Sequence, residues 1–285
     1  MLQRFQSINH EYQQIDLLNK RIIVDLVSGY GHRKIIELAV LVSDLKRTAR
    51  EFQCTKVVVK GVPAQVAQLM QQGFKLEGKI PGYYQEQASW WVTWYLDPSR
   101  EIRSRGEEET AILETVFARC FMPRAETALV QGAYLRRAQP KDAARLSELY
   151  RCIFSTYPSQ ITNPDYLAKN IASGVPYLYI EVDGKIVSSI GAELDKHNLS
   201  AELSDCATDP AFAGEGLMCI LYRDMENILV EMGYKTLFTL ARALSIGMNL
   251  VAARSGYQFS GQLINNCNIC GDYGTMNLWV KPTNS

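Results

Sequence analysis

Two cysteines at C-x-x-C spacing, Cys267 and Cys270, lie in the stretch LINNCNICGDYG together with three asparagines. Thiols at this spacing can bind zinc or form a redox pair. A structural zinc site needs four ligands, and the remaining cysteines and histidines are isolated in the sequence, so no metal is expected. A thioredoxin-type redox pair opens a helix, whereas this pair follows a predicted strand and is expected in a loop. The stretch is interpreted either as buried small residues or, as we favour, as a polar wall whose asparagines bind a substrate.

A second candidate for chemistry is the turn DPAFAGEGLM, which carries Gly214 and Gly216 between a predicted strand and a long amphipathic helix. A glycine turn that opens a helix presents backbone N–H groups and the positive end of the helix dipole. Such a turn can hold a pyrophosphate, although two glycines at this spacing also occur in plain helix-start loops. The turn follows the third strand of an antiparallel meander, whereas a dinucleotide-binding fold places its glycines after the first strand of a parallel unit.

Composition excludes several classes of function. The 285 residues are 47% hydrophobic and 21% charged, which is typical of a folded globular protein of one or two domains. Thirty basic residues balance thirty acidic ones, so no net field favours nucleic acid or an anionic membrane. No apolar run is long enough to span a membrane, the start of the chain is not signal-like, and seven cysteines are an odd number typical of reduced thiols. We expect a cytoplasmic protein with no nucleic-acid or membrane partner.

The elements that must position these residues follow from periodicity. From residue 131 the pattern predicts the order β-α-α-β-β-β-α-β-α-β-β, with a helix opened by Pro140 and a hairpin turn at Asp183-Gly184. The earlier region predicts strands over residues 21–27, 34–42 and 55–61, with a helix opened by Ser43. Two further strands flank a turn-rich connection near residue 85.

The two regions share a repeated sequence pattern, which we call the internal echo. Residues 56–80 and 235–264 both have the pattern of a strand, a helix and a Gly-aromatic dipeptide, with a second glycine five residues after the first. The sequence therefore predicts two domains, 1–130 and 131–285, the first an incomplete relative of the second and without a cofactor.

The sequence resembles a known family. The element order and the turn resemble the GCN5-related acetyltransferases, and SDCATDPAFAGEGLM, TLARALSIGMN, GYQFSGQLINNCNIC and MNLWVKP are similar to the beta-lysine N-acetyltransferases within that family. The resemblance implies an α+β fold: a C-terminal acyl-CoA N-acyltransferase domain with a mixed, mostly antiparallel sheet, preceded by a smaller, degenerate acetyltransferase-like α/β domain. It also implies acetyl-CoA as co-substrate and a small amine, β-lysine, as acceptor.

The implied reaction is direct attack of an amine on a thioester, which needs a neutral amine and an oxyanion donor. A lysine-type ammonium has a pKa near 10.4, so deprotonation at neutral pH costs about 4 to 5 kcal/mol and calls for a carboxylate base. Glu202 and Asp205 lie on the strand expected to line the cleft, and a spacing of three predicts that only one of them faces inward. We favour Asp205, with a surface or capping carboxylate as the alternative, and a backbone N–H near Ala207 as the oxyanion donor.

The remaining candidates are assigned by the resemblance and their position. Acetyl-CoA is expected to contact Cys206, Ala207, Thr208, Ala213, Gly214, Glu215, Gly216, Leu217 and Met218. The amine substrate is expected to contact Phe154, Tyr157, Glu202, Arg242, Asn249, Asn265, Asn266 and Cys267. Arg242 could pair with a substrate carboxylate or be a surface arginine. Phe154 and Tyr157 could form cation-π contacts or simply pack.

Two positions depart from the family pattern. Ala213 stands where Arg or Gln is usual in the turn, and Ala252 stands where many members have a tyrosine that protonates the leaving thiolate. These departures leave open a non-catalytic acyl-CoA sensor, and the fold alone also admits another diamino acid, a polyamine or a protein lysine as acceptor. The favoured function is acetylation of the terminal amine of β-lysine in compatible-solute synthesis, by a possible homodimer.

Overall fold

The computed structural model describes residues 7–10, 13–27, 38–121, 129 and 132–283. Their strands form a single sheet in the order β1-β2-β3-β4-β6-β5-β12-β13-β11-β10-β9-β8-β7. The strands are β1 Ser7–His10, β2 Gln13–Asp16, β3 Arg21–Asp25, β4 Lys56–Gly61, β5 Lys75–Tyr84, β6 Gln87–Tyr95, β7 Ala133–Arg137, β8 Tyr177–Val182, β9 Lys185–Asp195, β10 Ser200–Thr208, β11 Thr236–Arg242, β12 Gln258–Ile269 and β13 Asp272–Pro282. The helices are α1 Leu38–Glu51, α2 Pro63–Gln71, α3 Gly106–Arg119, α4 Ala143–Ile153, α5 Pro164–Ala172, α6 Leu217–Glu231 and α7 Ile246–Arg254. Among these, no helix is long and apolar enough to cross a membrane.

The two halves of the sheet come from the two halves of the chain and meet where β5 pairs with β12. The paired residues are Gly78 and Gly261, the second glycines of the two echoing segments. A Cβ added at Gly261, whose φ is +147°, would lie 2.1 Å from the Glu77 carbonyl oxygen. Only glycine therefore allows the two backbones to approach closely enough to join the halves.

The echo in the sequence corresponds to a repeated strand arrangement. In the first half β3 runs parallel to β4, followed toward the seam by β6 and β5. In the second half β10 runs parallel to β11, followed by β13 and β12. The identity of the first half as a degenerate acetyltransferase domain, and the boundary near residue 130, stay predictions.

The two halves differ in how helices cover the sheet. In the second half α4 and α5 pack against alternate residues such as Tyr177 and Tyr179, while α3, α6 and α7 pack on the other face around Leu178 and Ile180. In the first half α1 and α2 share a core with one face of β3 and β4. The opposite face of β3 and β4 carries no helix among the described elements and lines a cavity.

Most sequence-predicted elements are confirmed. The order β-α-α-β-β-β-α-β-α-β-β is present from β7 onward, and the hairpin turn lies at Asp183 and Gly184, with φ of +49° and +78°. These positive values explain why Asp-Gly is favoured there.

Two element predictions are wrong. Residues 38–42 are not a strand, because α1 already includes Leu38 and places Leu41 and Val42 on the same buried side as Leu45 and Ala49, at helical spacing. Residues 34–37 lie outside the described part.

The asparagine stretch is also not a loop. It is the end of β12, which turns at Cys270 (φ +61°) and Gly271 (φ +94°) into β13. The strand persists because it pairs with β13 up to Ile269 and Asp272.

Candidate active site

A pair of parallel strands that stop pairing opens the centre of the second half. Strands β10 and β11 pair only from Ser200 to Glu202 and from Thr236 to Phe238. Residues 203–206 and 239–242, which follow on both strands, line a small cavity of about 70 Å³. A larger cavity of about 580 Å³ adjoins it and shares Tyr157, Ser204 and Asp205 with it. The arrangement gives one site with two compartments.

A β-bulge in β10 decides which carboxylates face the site. Ser204 pairs with Gly191 of β9, but Ala207 already pairs with Ser189, so β10 carries one extra residue. Asp205 lies in this bulge with φ of +51°. The bulge cancels the alternation of sides, and both Glu202 and Asp205 line the larger cavity. The prediction that only one of them faces inward is therefore wrong.

Asp205 is a buried carboxylate suited to accept a proton. Its side chain is 5% exposed, and the Tyr177 hydroxyl donates to Oδ2 at 2.7 Å, whereas Oδ1 has no hydrogen-bond partner within the described residues. Burial, together with the charge of Glu193, raises the pKa of Asp205 to about 7, while the hydroxyls of Tyr177 and Tyr157 act in the opposite direction. A base with this pKa is half ionised near neutral pH.

Two more carboxylates face each other across the same wall. Glu202 of β10 lies directly opposite Glu193 of β9 in the antiparallel register, and both line the larger cavity. Burial, followed by the charge of Glu193, raises the pKa of Glu202 well above its usual value, whereas Lys60 lowers it. Like charges directly opposite in a sheet repel, and a bound cation relieves that repulsion.

The first half of the chain supplies the other wall. Arg21 and Ile23 of β3, Val58 and Lys60 of β4, and Trp91 of β6 line the larger cavity. Burial lowers the pKa of Lys60, while Asp25, Glu202 and Glu193 raise it. None of these wall residues was among our candidates. A lysine within the apolar strand KVVVKG was the one available signal, and only the tertiary fold shows that it faces the second half.

The predicted acetyl-CoA residues lie at the end of β10 and in the turn that leads into α6. Cys206 lines the small cavity, Ala207 lies opposite Ser189 in the β9 ladder without lining either cavity, and Thr208 ends β10. Gly214 and Gly216 have φ of +89° and +80°, and Gly216 is the N-cap of α6.

The remaining predicted acetyl-CoA residues lie in the turn, which contains Ala213 and Glu215, and at the start of α6, which contains Leu217 and Met218. Leu217 and Met218 are the first two residues of α6, and their amides belong to the helix's first turn, whose N–H groups lack intrahelical acceptors. A Cβ at Gly214 would meet nothing within 4 Å, so the turn is open to a ligand. The turn fits a pyrophosphate held by backbone amides, without a basic side chain at Ala213.

The predicted substrate residues do not all come together. Tyr157 lines both cavities, and Phe154 packs beside it with ring centroids 4.7 Å apart and lines the small one. Arg242 lines only the small cavity. Asn249 lines neither: it donates to the carbonyls of Arg242 and Ser245 and accepts from Asn277 and Trp279, all at 2.8 to 2.9 Å. Its amide is saturated, so Asn249 is a structural residue.

The residues of the C-x-x-C stretch differ in whether their side chains line the cavity. Asn266 and Cys267 line the larger cavity, and the Asn266 Oδ1 atom is buried without a hydrogen-bond partner in the described part of the chain. Asn265 instead donates to the carbonyls of Arg100 and Ile102 at 2.9 and 2.8 Å, which ties β12 to the segment after β6.

The two thiols are not a shared site. Cys267 is buried, whereas Cys270 is exposed at the turn. No group of potential metal ligands is found in the described ranges.

The sequence has curated relatives over nearly its whole length. It is 31% identical over 281 residues to "Beta-lysine N(6)-acetyltransferase" of Methanococcus maripaludis, covering 98% of this chain and 99% of that protein. It is 33% identical to "N-acetyltransferase YodP" of Bacillus subtilis, covering 93% and 94%. It is 31% identical to "Beta-lysine N(6)-acetyltransferase" of Methanosarcina mazei, covering 83% and 94%.

The family description "Acetyltransferase (GNAT) family" matches residues 143–253, from the start of α4 to the end of α7. This range contains the bulge at Asp205 and the turn at Gly214. The chain belongs to the acetyltransferase (GNAT) family and is an acetyl-CoA-dependent N-acetyltransferase.

Proposed function

We propose that this protein transfers the acetyl group of acetyl-CoA to the terminal amine of β-lysine by direct attack of the amine on the thioester. The observation that carries the proposal is Asp205, a buried carboxylate with a pKa of about 7 where the two cavities meet. The names of two full-length relatives support β-lysine as acceptor. The product would keep one ammonium and one carboxylate, a neutral zwitterion of the compatible-solute type.

In this mechanism the residues of β10 hold and move the proton. The ammonium of the acceptor binds against Asp205, whose unpartnered Oδ1 accepts one proton as the amine attacks the thioester carbonyl. As the new N–C bond is completed and the C–S bond breaks, the nitrogen's second proton passes to the departing thiolate, which leaves as the free thiol. Tyr177 fixes the carboxylate through its bond to Oδ2. The backbone near Ala207, just beyond the bulge, is the proposed oxyanion donor. Acetyl-CoA supplies the activated acetyl group, and the Gly214–Met218 turn would hold its pyrophosphate.

The charge of the larger cavity favours a small cation over a neutral amine. Its lining within the described residues carries four carboxylates, from Asp16, Glu193, Glu202 and Asp205, and three cations, from Arg21, Lys60 and Lys196. A diamino acid with two ammonium groups and one carboxylate complements this mixed lining. A protein lysine as acceptor is less well supported, because the cavity is walled by both halves of the chain.

The position that commonly supplies the thiolate's proton donor is filled differently here. Ala252 is fully buried in the core with Tyr257 and lines neither cavity. The proton for the leaving thiolate therefore does not come from this position.

One experiment separates the candidate acceptors. The purified protein is incubated with acetyl-CoA and, in turn, β-lysine, α-lysine, ornithine, spermidine and a lysine-containing peptide, and release of free thiol is followed. We expect the highest kcat/KM with β-lysine. Release with spermidine but not β-lysine would refute β-lysine as the substrate, and acetyl-CoA binding without release for any amine would refute acetyl transfer to these acceptors.

A further inference from the structure

Lys60 is a partly buried cation in the wall that the first half of the chain contributes. It lies in β4 directly opposite Trp91 of β6, and both side chains line the larger cavity. The Lys60 Nζ atom lies 4.1 Å from the Trp91 ring centroid and 6.0 Å from that of Tyr83. Trp91 is held in turn by the bond from its Nε1 to Ser89 Oγ at 3.0 Å. These contacts place the ammonium at a defined point of the wall.

Unlike the neighbouring cations Lys56 and Arg21, Lys60 has no anionic partner in contact. Lys56, four residues earlier on the same strand, has its Nζ 2.9 Å from Glu77 Oε2 and 2.7 Å from the Ile264 carbonyl oxygen. Arg21 pairs with Asp16 at 2.9 Å. No carboxylate oxygen lies within 4 Å of Lys60 Nζ among the residues described. A partly buried ammonium whose close contacts are aromatic rings is incompletely compensated, so an anionic ligand is expected there.

We propose that Lys60 binds the carboxylate of the amino-acid substrate, so that the first half of the chain selects a diamino acid over a diamine. The inference rests on the proposed function and assigns the substrate end that the acetyl-transfer chemistry leaves unassigned. Arg242, our sequence-based candidate for this role, lines only the small cavity.

The positions of the charged groups agree with the shape of the substrate. Asp205 lines both cavities, where the acceptor amine must meet the thioester, whereas Lys60 lines only the larger cavity. In β-lysine the carboxylate and the terminal amine are at opposite ends of a six-carbon chain. The second amine lies between them, and the facing carboxylates of Glu193 and Glu202 are available for it. The substrate's carboxylate thus has a cationic group, and each of its two amines a carboxyl group, on the cavity wall.

The test compares β-lysine with 1,4-diaminopentane, the same molecule without its carboxylate, and with the methyl ester of β-lysine. Steady-state kcat/KM is measured for the wild type and for Lys60→Met. The matched control is Lys79→Met, because Lys79 also lies over a tryptophan, 4.2 Å from the Trp90 ring centroid, but is exposed and lines neither cavity. Melting curves and acetyl-CoA binding check that each variant is folded.

We expect the wild type to prefer β-lysine over both analogues, and Lys60→Met to reduce that preference by about 10- to 100-fold, the range of a hydrogen bond to a charged group. Lys79→Met should keep the wild-type preference. An unchanged ratio in folded Lys60→Met would overturn the role of Lys60 and leave the proposed function intact. If Lys60→Met does not fold, the test is the wild-type enzyme with the two substrates: equal kcat/KM values for β-lysine and its methyl ester would overturn the inference. Absence of any β-lysine acetylation by the wild type would overturn the proposed function, and this inference with it.

Discussion

Replacing Asp205 with asparagine should remove the base while preserving the shape of the bulge. In the wild type the reactive combination is ionised Asp205 with the ammonium form of the amine, because the carboxylate accepts the proton during attack. In Asp205→Asn only the rare neutral amine can react. The two proteins should therefore respond to pH in different ways.

The magnitude follows from two pKa values. Asp205 has a pKa of about 7, so the ionised fraction, and with it the wild-type kcat/KM, should rise up to about pH 7 and then level off. With an amine pKa near 10.4, roughly 1 in 2,500 acceptor molecules is neutral at pH 7, and this fraction grows about tenfold per pH unit. A general base contributes on the order of 10² to 10⁴ in rate. Asp205→Asn should thus be slower by at least about 10²-fold at pH 7 and approach the wild type near pH 10.

The assay is thiol release from acetyl-CoA with β-lysine between pH 6 and pH 10. Asp165→Asn, which alters an exposed carboxylate of α5, is the matched control and should reproduce the wild-type profile. Asp205 would be refuted as the base if the kcat/KM of Asp205→Asn were lower than that of the wild type by the same factor at every pH, or were not lower at pH 7.

The same substitution tests the cause of the raised pKa. Burial lifts the pKa of Asp205 from 3.8 to about 7, so its contribution to stability is full below about pH 4 and is lost as pH rises through 7. The loss is on the order of 4 kcal/mol at most. Urea unfolding should show Asp205→Asn to be more stable than the wild type at pH 8, and no such gain at pH 4. Equal stability at pH 8 would contradict the burial argument.

Three further substitutions test neighbouring parts of the argument. Tyr177→Phe removes a hydrogen bond that lowers the pKa of Asp205, so the rising limb of the wild-type pH profile should move up by about one unit; an unmoved limb would contradict that contact. Asn266→Ala removes a cavity-facing amide and should raise KM for the amine by about 10-fold with kcat little changed, measured by steady-state kinetics; an unchanged KM would remove it from the substrate wall. Gly261→Ala should lower the free energy of unfolding, measured by urea titration, by about 3 kcal/mol or more, because its Cβ would clash with the β5 backbone. Gly271→Ala is the control: its Cβ would meet open space at a φ of +94°, so it should lower the free energy of unfolding by only about 1 to 2 kcal/mol. Equal losses for the two glycines would count against a close contact at the seam.

The cysteine stretch shows how far the sequence reached into the site. Its spacing argued against a four-ligand zinc site and pointed to the asparagines, and Asn266 does line the cavity. Sequence spacing could not separate Asn266 from Asn265, because one side chain enters the cavity and the other ties β12 to the segment after β6. That difference depends on strand partners far away in the chain.

The sequence by itself determined the order of the elements in the second half, the hairpin at Asp183-Gly184 and the glycine turn before α6. These features depend on periodicity and on residues with special backbone freedom, which act over a few positions. The tertiary structure alone decided that Glu202 and Asp205 share a face, because a bulge in β10 adds one residue to the ladder and reverses the alternation. It alone also brought Lys60 to the cavity that Asp205 lines, since two glycines distant in sequence allow β5 and β12 to join the two halves into one sheet.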